Sequence, residues 1–157
     1  MIRQKLELDD LFVFVGLDTS VLMDLITFEK AKDYFRQQVY QFEENFLFTH
    51  RMCLAECLGL LVGERGMPKE ETRAKIRALL EEFRITILER DEQLQNDEQY
   101  VFALGRRYGW KGSEIINDAI IIASFWRKRI SLVVVRDYIF EKVCRELKIN
   151  VLSFPHL

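Results

Sequence analysis

The sequence predicts an α/β domain: three layers, α/β/α, around a mainly parallel five-stranded sheet in the order 3-2-1-4-5. Three observations predict it. Strand-like apolar runs alternate with helix-like runs along the whole chain, the pattern of a parallel sheet covered by helices on both faces. Both prolines, Pro68 and Pro155, fall outside the interiors of the predicted elements. Two of the strand-like runs, 11–17 and 131–136, are closed by an aspartate, Asp18 and Asp137. Open α/β sheets bind ligands beyond such carboxyl ends, at the point where the strand order reverses. In the order 3-2-1-4-5, strands 1 and 4 are neighbours at that point, and the two aspartates face each other across its crevice.

In chain order, strands are expected at 11–17, 46–49, 85–88, 131–135 and 150–152. Segment 20–44 holds two helices or one bent helix, with Phe28, Ala31, Tyr34, Phe35, Val39 and Phe42 recurring at helical spacing. A helix over 68–83 opens with Pro68 near its first turn, followed by Glu70 and Glu71, which suit an amino end. Its face of Ile76, Leu79, Leu80 and Phe83 is expected to pack on the sheet. Asp91 starts a helix through Leu94, Val101 and Leu104, which gives way at Tyr108-Gly109-Trp110-Lys111-Gly112. Ser113 is placed to cap the next helix.

The chain has 157 residues, 49% of them apolar, which fits one domain over residues 1–157. A chain of this size buries roughly 68–70% of the surface it exposes when unfolded. The net charge is −2 with 31% of residues charged, so overall charge neither demands nor excludes nucleic acid. Any affinity for RNA must come from local clusters such as Arg106, Arg107 and Lys111, or Arg127, Lys128 and Arg129. The run 11–17 is too short to cross a bilayer, and neither a signal peptide nor a membrane anchor is expected. Cys53, Cys57 and Cys144 form an odd and sparse set that suits reduced thiols, so a cytoplasmic location without disulfides is expected.

Two further acids stand out because of their surroundings. Glu56 lies within the apolar run 52–62, and Asp118 within 115–123, both read as helices. An ionised carboxylate buried without a partner is costly, and a metal ion is a ready compensation. The bland reading of Asp18 and Asp137 is helix capping, since each precedes a helix. Asp118 lies one turn after Glu114, so those two acids share a helix face. A zinc stripe of His50, Cys53 and Cys57 is a weaker alternative, because no fourth ligand is evident nearby.

Four segments carry a resemblance. They are Leu17-Asp18-Thr19-Ser20-Val21-Leu22, the glutamate of Ala55-Glu56-Cys57-Leu58, Asn117-Asp118-Ala119-Ile120-Ile121-Ile122-Ala123, and Val133-Val134-Val135-Arg136-Asp137-Tyr138-Ile139-Phe140. In order, spacing and context they resemble the PIN-domain family, in particular its small single-domain ribonuclease toxins of the VapBC type. The resemblance implies a site of Asp18, Glu56, Asp118 and Asp137 that is both catalytic and metal-holding, with Ser20 and Glu114 as supporting groups. It implies RNA as substrate, an antitoxin protein as partner and a symmetric homodimer. This chain departs from the family at Val135 and Ile139, where a hydroxyl residue and a further acid are often found. It also carries extra residues, 2–11, before its first strand.

Such an acid set suits Mg²⁺ or Mn²⁺, hard ions that take oxygen ligands. The expected reaction is hydrolysis of single-stranded or loop RNA by water, without a Ser, Cys or His nucleophile. Arg107, Trp110, Lys111 and Arg136 are candidate RNA contacts, and Tyr108 and Trp110 could stack on a base, although Trp110 has a competing role in capping the core. Alternatives of other classes are a domain acting in RNA maturation and a catalytically silent protein-interaction module.

Overall fold

A computed structural model describes residues 13–39, 45–112 and 115–156. Five strands form one sheet in the order β3-β2-β1-β4-β5, every neighbouring pair parallel. They are β1 (Val13–Leu17), β2 (Asn45–His50), β3 (Thr86–Leu88), β4 (Leu132–Val135) and β5 (Asn150–Ser153). The central strands are apolar because helices cover both of their faces: Val15, Leu17, Val133, Val134 and Val135 are fully buried. The edge strands β3 and β5 are short and half-exposed, which limits their value as templates for pairing with another chain.

Seven helices are found among the described residues: α1 (Thr19–Thr27), α2 (Glu29–Gln38), α3 (Arg51–Gly63), α4 (Lys69–Glu82), α5 (Gln95–Arg107), α6 (Ile115–Arg127) and α7 (Tyr138–Glu146). Helices α1 to α4 pack on one another, as do α5 to α7. These two groups are the outer layers of the sandwich.

Segment 20–44 does hold two helices, but Phe28 sits at their junction with 45% of its surface exposed instead of joining the buried stripe of Ala31 and Phe35. Pro68 occupies the capping position before α4, and α4 packs chiefly on α3 and α1, not on the sheet. Its last buried ring, Phe83, meets Phe35 edge-on at 5.1 Å. Asp91 caps a short 3-10 turn, Glu92–Leu94, and α5 begins only at Gln95. Leu11, Phe42 and Ser113, also used in the sequence reading, lie outside the described residues.

Three helices end in the same way. Arg84, Arg129 and Lys148 adopt left-handed backbone, with φ of 52°, 62° and 62°. The isoleucine after each is buried and donates its N–H back to the carbonyl five residues earlier. Ile85 reaches Leu80 at 2.9 Å, Ile130 reaches Phe125 at 3.0 Å and Ile149 reaches Cys144 at 2.9 Å. This is the Schellman stop, which turns the chain from helix into strand and anchors the turn in the core. At the end of α5 the same closure runs from Trp110 N–H to Gly105 at 2.8 Å, here with a glycine, Gly109, in the left-handed place.

Candidate active site

Strands β1 and β4 lie side by side, with Leu17 opposite Val134, and the N–H of Asp18 donates to the Val134 carbonyl at 3.3 Å. Asp18 and Asp137 therefore leave the sheet together at its reversal point, each at the start of a helix. Asp18 is 7% exposed, yet its carboxylate does not accept from the N–H groups of the second or third residue of α1, as a helix cap would. It accepts instead from the Ser20 hydroxyl at 3.4 Å. Asp137 is exposed, and its Oδ1 accepts from the N–H of Phe140 at 2.8 Å, so one oxygen caps α7. Capping thus describes Asp137 in part and leaves the Asp18 side chain unexplained.

Helix α3 supplies Glu56 and α6 supplies Asp118, both half-buried. All four acids line one cleft of about 380 Å³, together with Thr19, Ser20, Met23, Leu60, Arg136 and Phe140. The expectation that these apolar helices leave little room for an exposed face needs correction. Helix α3 turns Ala55 and Gly59 to solvent and buries Cys53, Cys57 and Leu61 on its other side, and α6 exposes Ile116. Glu56 and Asp118 are half-buried because they face the cleft.

Burial pushes the Asp18 carboxyl up to about 6, and the charges of Glu56 and Asp137 push the same way. The Thr19 N–H and the Ser20 hydroxyl pull it down by less. Three carboxylates thus bear on one another electrostatically, the situation that a bound cation relieves. Among the described residues, no three such side chains are already close enough together to hold an ion. The acids share a cleft and have not closed into a ligand cage. At the two departures from the family pattern, Val135 is fully buried and supplies no hydroxyl, and Ile139 is half-buried.

The candidate RNA contacts separate. Arg107 and Lys111 are exposed. Trp110 is 5% exposed, and its indole lies so close over Gly105 that a Cβ built there would fall 1.5 Å from Cε3. That ring belongs to the core, the competing role that the sequence reading gave it, and it has no face to offer a base. Arg136 lines the cleft, but its guanidinium is held by the Asp24 carboxylate and by the Pro155 and Phe154 carbonyls, at 3.3 and 3.5 Å. Glu114 lies outside the described residues.

Asp24 was missed, although the signal was present. It sits in the apolar run Val21-Leu22-Met23-Asp24-Leu25-Ile26, the same kind of context that singled out Glu56 and Asp118. The zinc stripe does not form a site. His50 caps α3 by accepting the Met52 N–H at 3.0 Å, and Cys53 and Cys57 are buried in the core, where burial raises both thiols, Cys57 to about 12. A second cleft of about 340 Å³, lined by Arg90, Glu92, Gln95 and Glu98, contains the ion pair Arg90–Glu98 at 3.2 Å and no convergent acids.

Comparison with known proteins agrees with this architecture. The fold is similar to VapBC2 from Rickettsia felis, solved bound to a DNA fragment from its promoter. That match has a TM-score of 0.68 at 13% identity and covers 91% of this chain and 100% of the other. It is similar to FitAcB from Neisseria gonorrhoeae, with a TM-score of 0.58 at 16% identity over 91% and 99% of the two chains. It is also similar to VapC20 of Mycobacterium tuberculosis, described as a sarcin–ricin loop cleaving toxin, with a TM-score of 0.58 at 18% identity over 82% and 93%. No curated protein matches by sequence. The PIN domain model matches residues 15–146, a span that takes in all four acids and runs from within β1 to the end of α7, and the chain belongs to the PIN domain family.

Proposed function

We propose that this chain is a Mg²⁺- or Mn²⁺-dependent ribonuclease that hydrolyses RNA phosphodiester bonds in the cleft of Asp18, Glu56, Asp118 and Asp137, and that it is the toxin of a toxin–antitoxin pair. One observation carries the reading: acids from four separate places, the β1–α1 turn, α3, α6 and the β4–α7 turn, line a single cleft at the reversal point of the sheet. The donor set is made of carboxylate oxygens, and like charges already bear on Asp18, so these residues fit a hard divalent cation. The four acids would hold it.

A bound divalent ion supplies positive charge to the scissile phosphate and acidifies water. The protein's own groups do the positioning. The Ser20 hydroxyl orients Asp18, the Phe140 N–H fixes one oxygen of Asp137, and Met23, Leu60 and Phe140 form an apolar wall that limits water. Cys53, Cys57, Cys144 and His50 are buried, which fits direct attack by water rather than a protein nucleophile. RNA as substrate, and an antitoxin as partner, are supported by the likeness in fold to a sarcin–ricin loop cleaving toxin and to a toxin–antitoxin complex from Klebsiella pneumoniae. No helix among the described residues is long and apolar enough to cross a membrane.

The test is incubation of the purified chain with end-labelled single-stranded RNA in Mn²⁺, Mg²⁺ or EDTA, with the product ends analysed. Metal-dependent cuts that leave 5′-phosphate and 3′-hydroxyl ends are expected. Cuts that persist in EDTA, or that leave 2′,3′-cyclic phosphates, would overturn the metal-site mechanism. Co-expression with the protein encoded beside it should give a stable inactive complex; an unchanged cutting rate would remove the toxin assignment.

A further inference from the structure

A stripe of side chains begins at the acidic cleft and runs away from it along α7. Tyr138 follows Asp137 directly and is 66% exposed. Lys142 lies one turn on, its Nζ 4.5 Å from the centroid of the Tyr138 ring and 5.6 Å from that of Tyr108. Tyr108, exposed at the end of α5, donates its hydroxyl to Glu146 at 2.9 Å, one turn further along α7. Positions 138, 142 and 146 share one helix face and span about 12 Å. The charge of Arg107 also bears on Tyr108, and Lys111 stands exposed in the turn that follows.

The core does not require this arrangement. Helix α7 anchors itself through Phe140, Val143 and Cys144. The ammonium of Lys142 sits over the Tyr138 ring by cation–π attraction, and Tyr138 stays largely exposed. The acids on α7 are engaged: Glu146 by Tyr108, and Glu141 by Arg145 at 2.8 Å. The stripe therefore offers aromatic faces and cationic groups, and it starts at the residue after a cleft acid.

We propose that Tyr138, Lys142 and Tyr108 form a stacking platform for unpaired RNA bases adjoining the scissile phosphate, an inference that rests on the ribonuclease reading above. Flat aromatic faces beside amines are the recurring means of holding single strands, since every base has a π-face and every linkage a phosphate. A duplex offers nothing to such a platform, because its base faces are already stacked on one another. Tyr138 takes the base nearest the cleft, Lys142 a flanking phosphate and Tyr108 the next base. Of the two rings that the sequence offered for stacking, Tyr108 is exposed and Trp110 is not, and Tyr138 takes the second place beside Tyr108.

The experiment measures binding of a fluorescein-labelled single-stranded RNA, and of the same sequence annealed to its complement, to the full chain carrying Asp118→Asn in Mg²⁺. Tyr138→Ala and Tyr138→Trp are compared in that background, with circular dichroism confirming the fold. Tyr138→Ala should weaken single-strand binding about ten-fold, Tyr138→Trp should restore it, and duplex binding should not respond. Equal affinity of parent and Tyr138→Ala, failure of Tyr138→Trp to restore binding, or no single-strand binding by the parent would each overturn the platform. Cleavage by the chain with Asp118 intact is measured in parallel. A ten-fold binding difference without any metal-dependent cutting keeps the platform and overturns the nuclease reading; cutting without that difference does the reverse.

Discussion

The Asp24 carboxylate on α1 holds the guanidinium of Arg136, the residue between β4 and Asp137. The same guanidinium donates to the Pro155 and Phe154 carbonyls, so one side chain ties α1, the β4–α7 turn and the chain's last described segment together. Asp24 is 8% exposed, and removing it leaves a poorly hydrated cation beside the acidic cleft. Asp24→Ala should therefore cost about 3 kcal/mol of stability, the lower end for breaking a buried pair. Urea unfolding checks this; a change below about 0.5 kcal/mol, as for an ordinary surface site, would show that the pair is not structural.

Asp18 predicts an unusual pH dependence. Its folded carboxyl is held near 6 against an ordinary value of 3.8, chiefly by burial. Below about pH 4 it is protonated whether folded or not, and it imposes no penalty. As pH rises towards 6 the unfolded chain loses this proton and the folded chain keeps it, so stability falls, by about 3 kcal/mol once pH exceeds 6. In metal-free buffer, Asp18→Asn should thus gain stability over the parent at pH 8 and lose that advantage at pH 4. Unfolding curves at the two values decide; an advantage that does not depend on pH would refute the raised carboxyl.

Two of the left-handed helix stops should be improvable. Arg84 and Lys148 take φ of 52° and 62°, where a Cβ costs about 1–2 kcal/mol, an expense that glycine escapes at some cost in unfolded-state entropy. Arg84→Gly and Lys148→Gly should each stabilise the protein by about 0.5–1 kcal/mol. Thermal unfolding reads the effect, and a lower melting temperature for both would show that the long side chains outweigh the backbone strain.

The sheet was legible because its signal is long-range and redundant. β-Branched apolar runs such as Leu132–Val135, bounded by polar residues and regularly spaced along the chain, read as buried strands, and the aspartates that end two of them mark the carboxyl edge. Glu56 and Asp118 were legible as charges in apolar helices, and both line the cleft, although Ala55, Gly59 and Ile116 show that those helices also have a solvent-facing side. The helix stops were harder to read. Their left-handed residues are Arg84, Arg129 and Lys148, and no glycine advertises them. The fate of Trp110 depended on Gly105, five residues away, whose missing Cβ opens the place for the indole; composition alone cannot choose between that pocket and a base. The pairing of Asp24 with Arg136 spans a separation of 112 residues and required the fold itself.

The most direct test of the four-acid site is the rate at which parent and Asp118→Asn cut end-labelled single-stranded RNA at saturating Mg²⁺ or Mn²⁺. Asp118 lines the cleft, and its replacement by the near-isosteric amide removes the charge with little change of shape. The variant should fold as the parent does and cut at least about 10²-fold more slowly, the loss expected for a group that stabilises charge in the transition state. Equal rates for the two proteins would contradict the assignment of Asp118 to the site, and with it the four-acid mechanism.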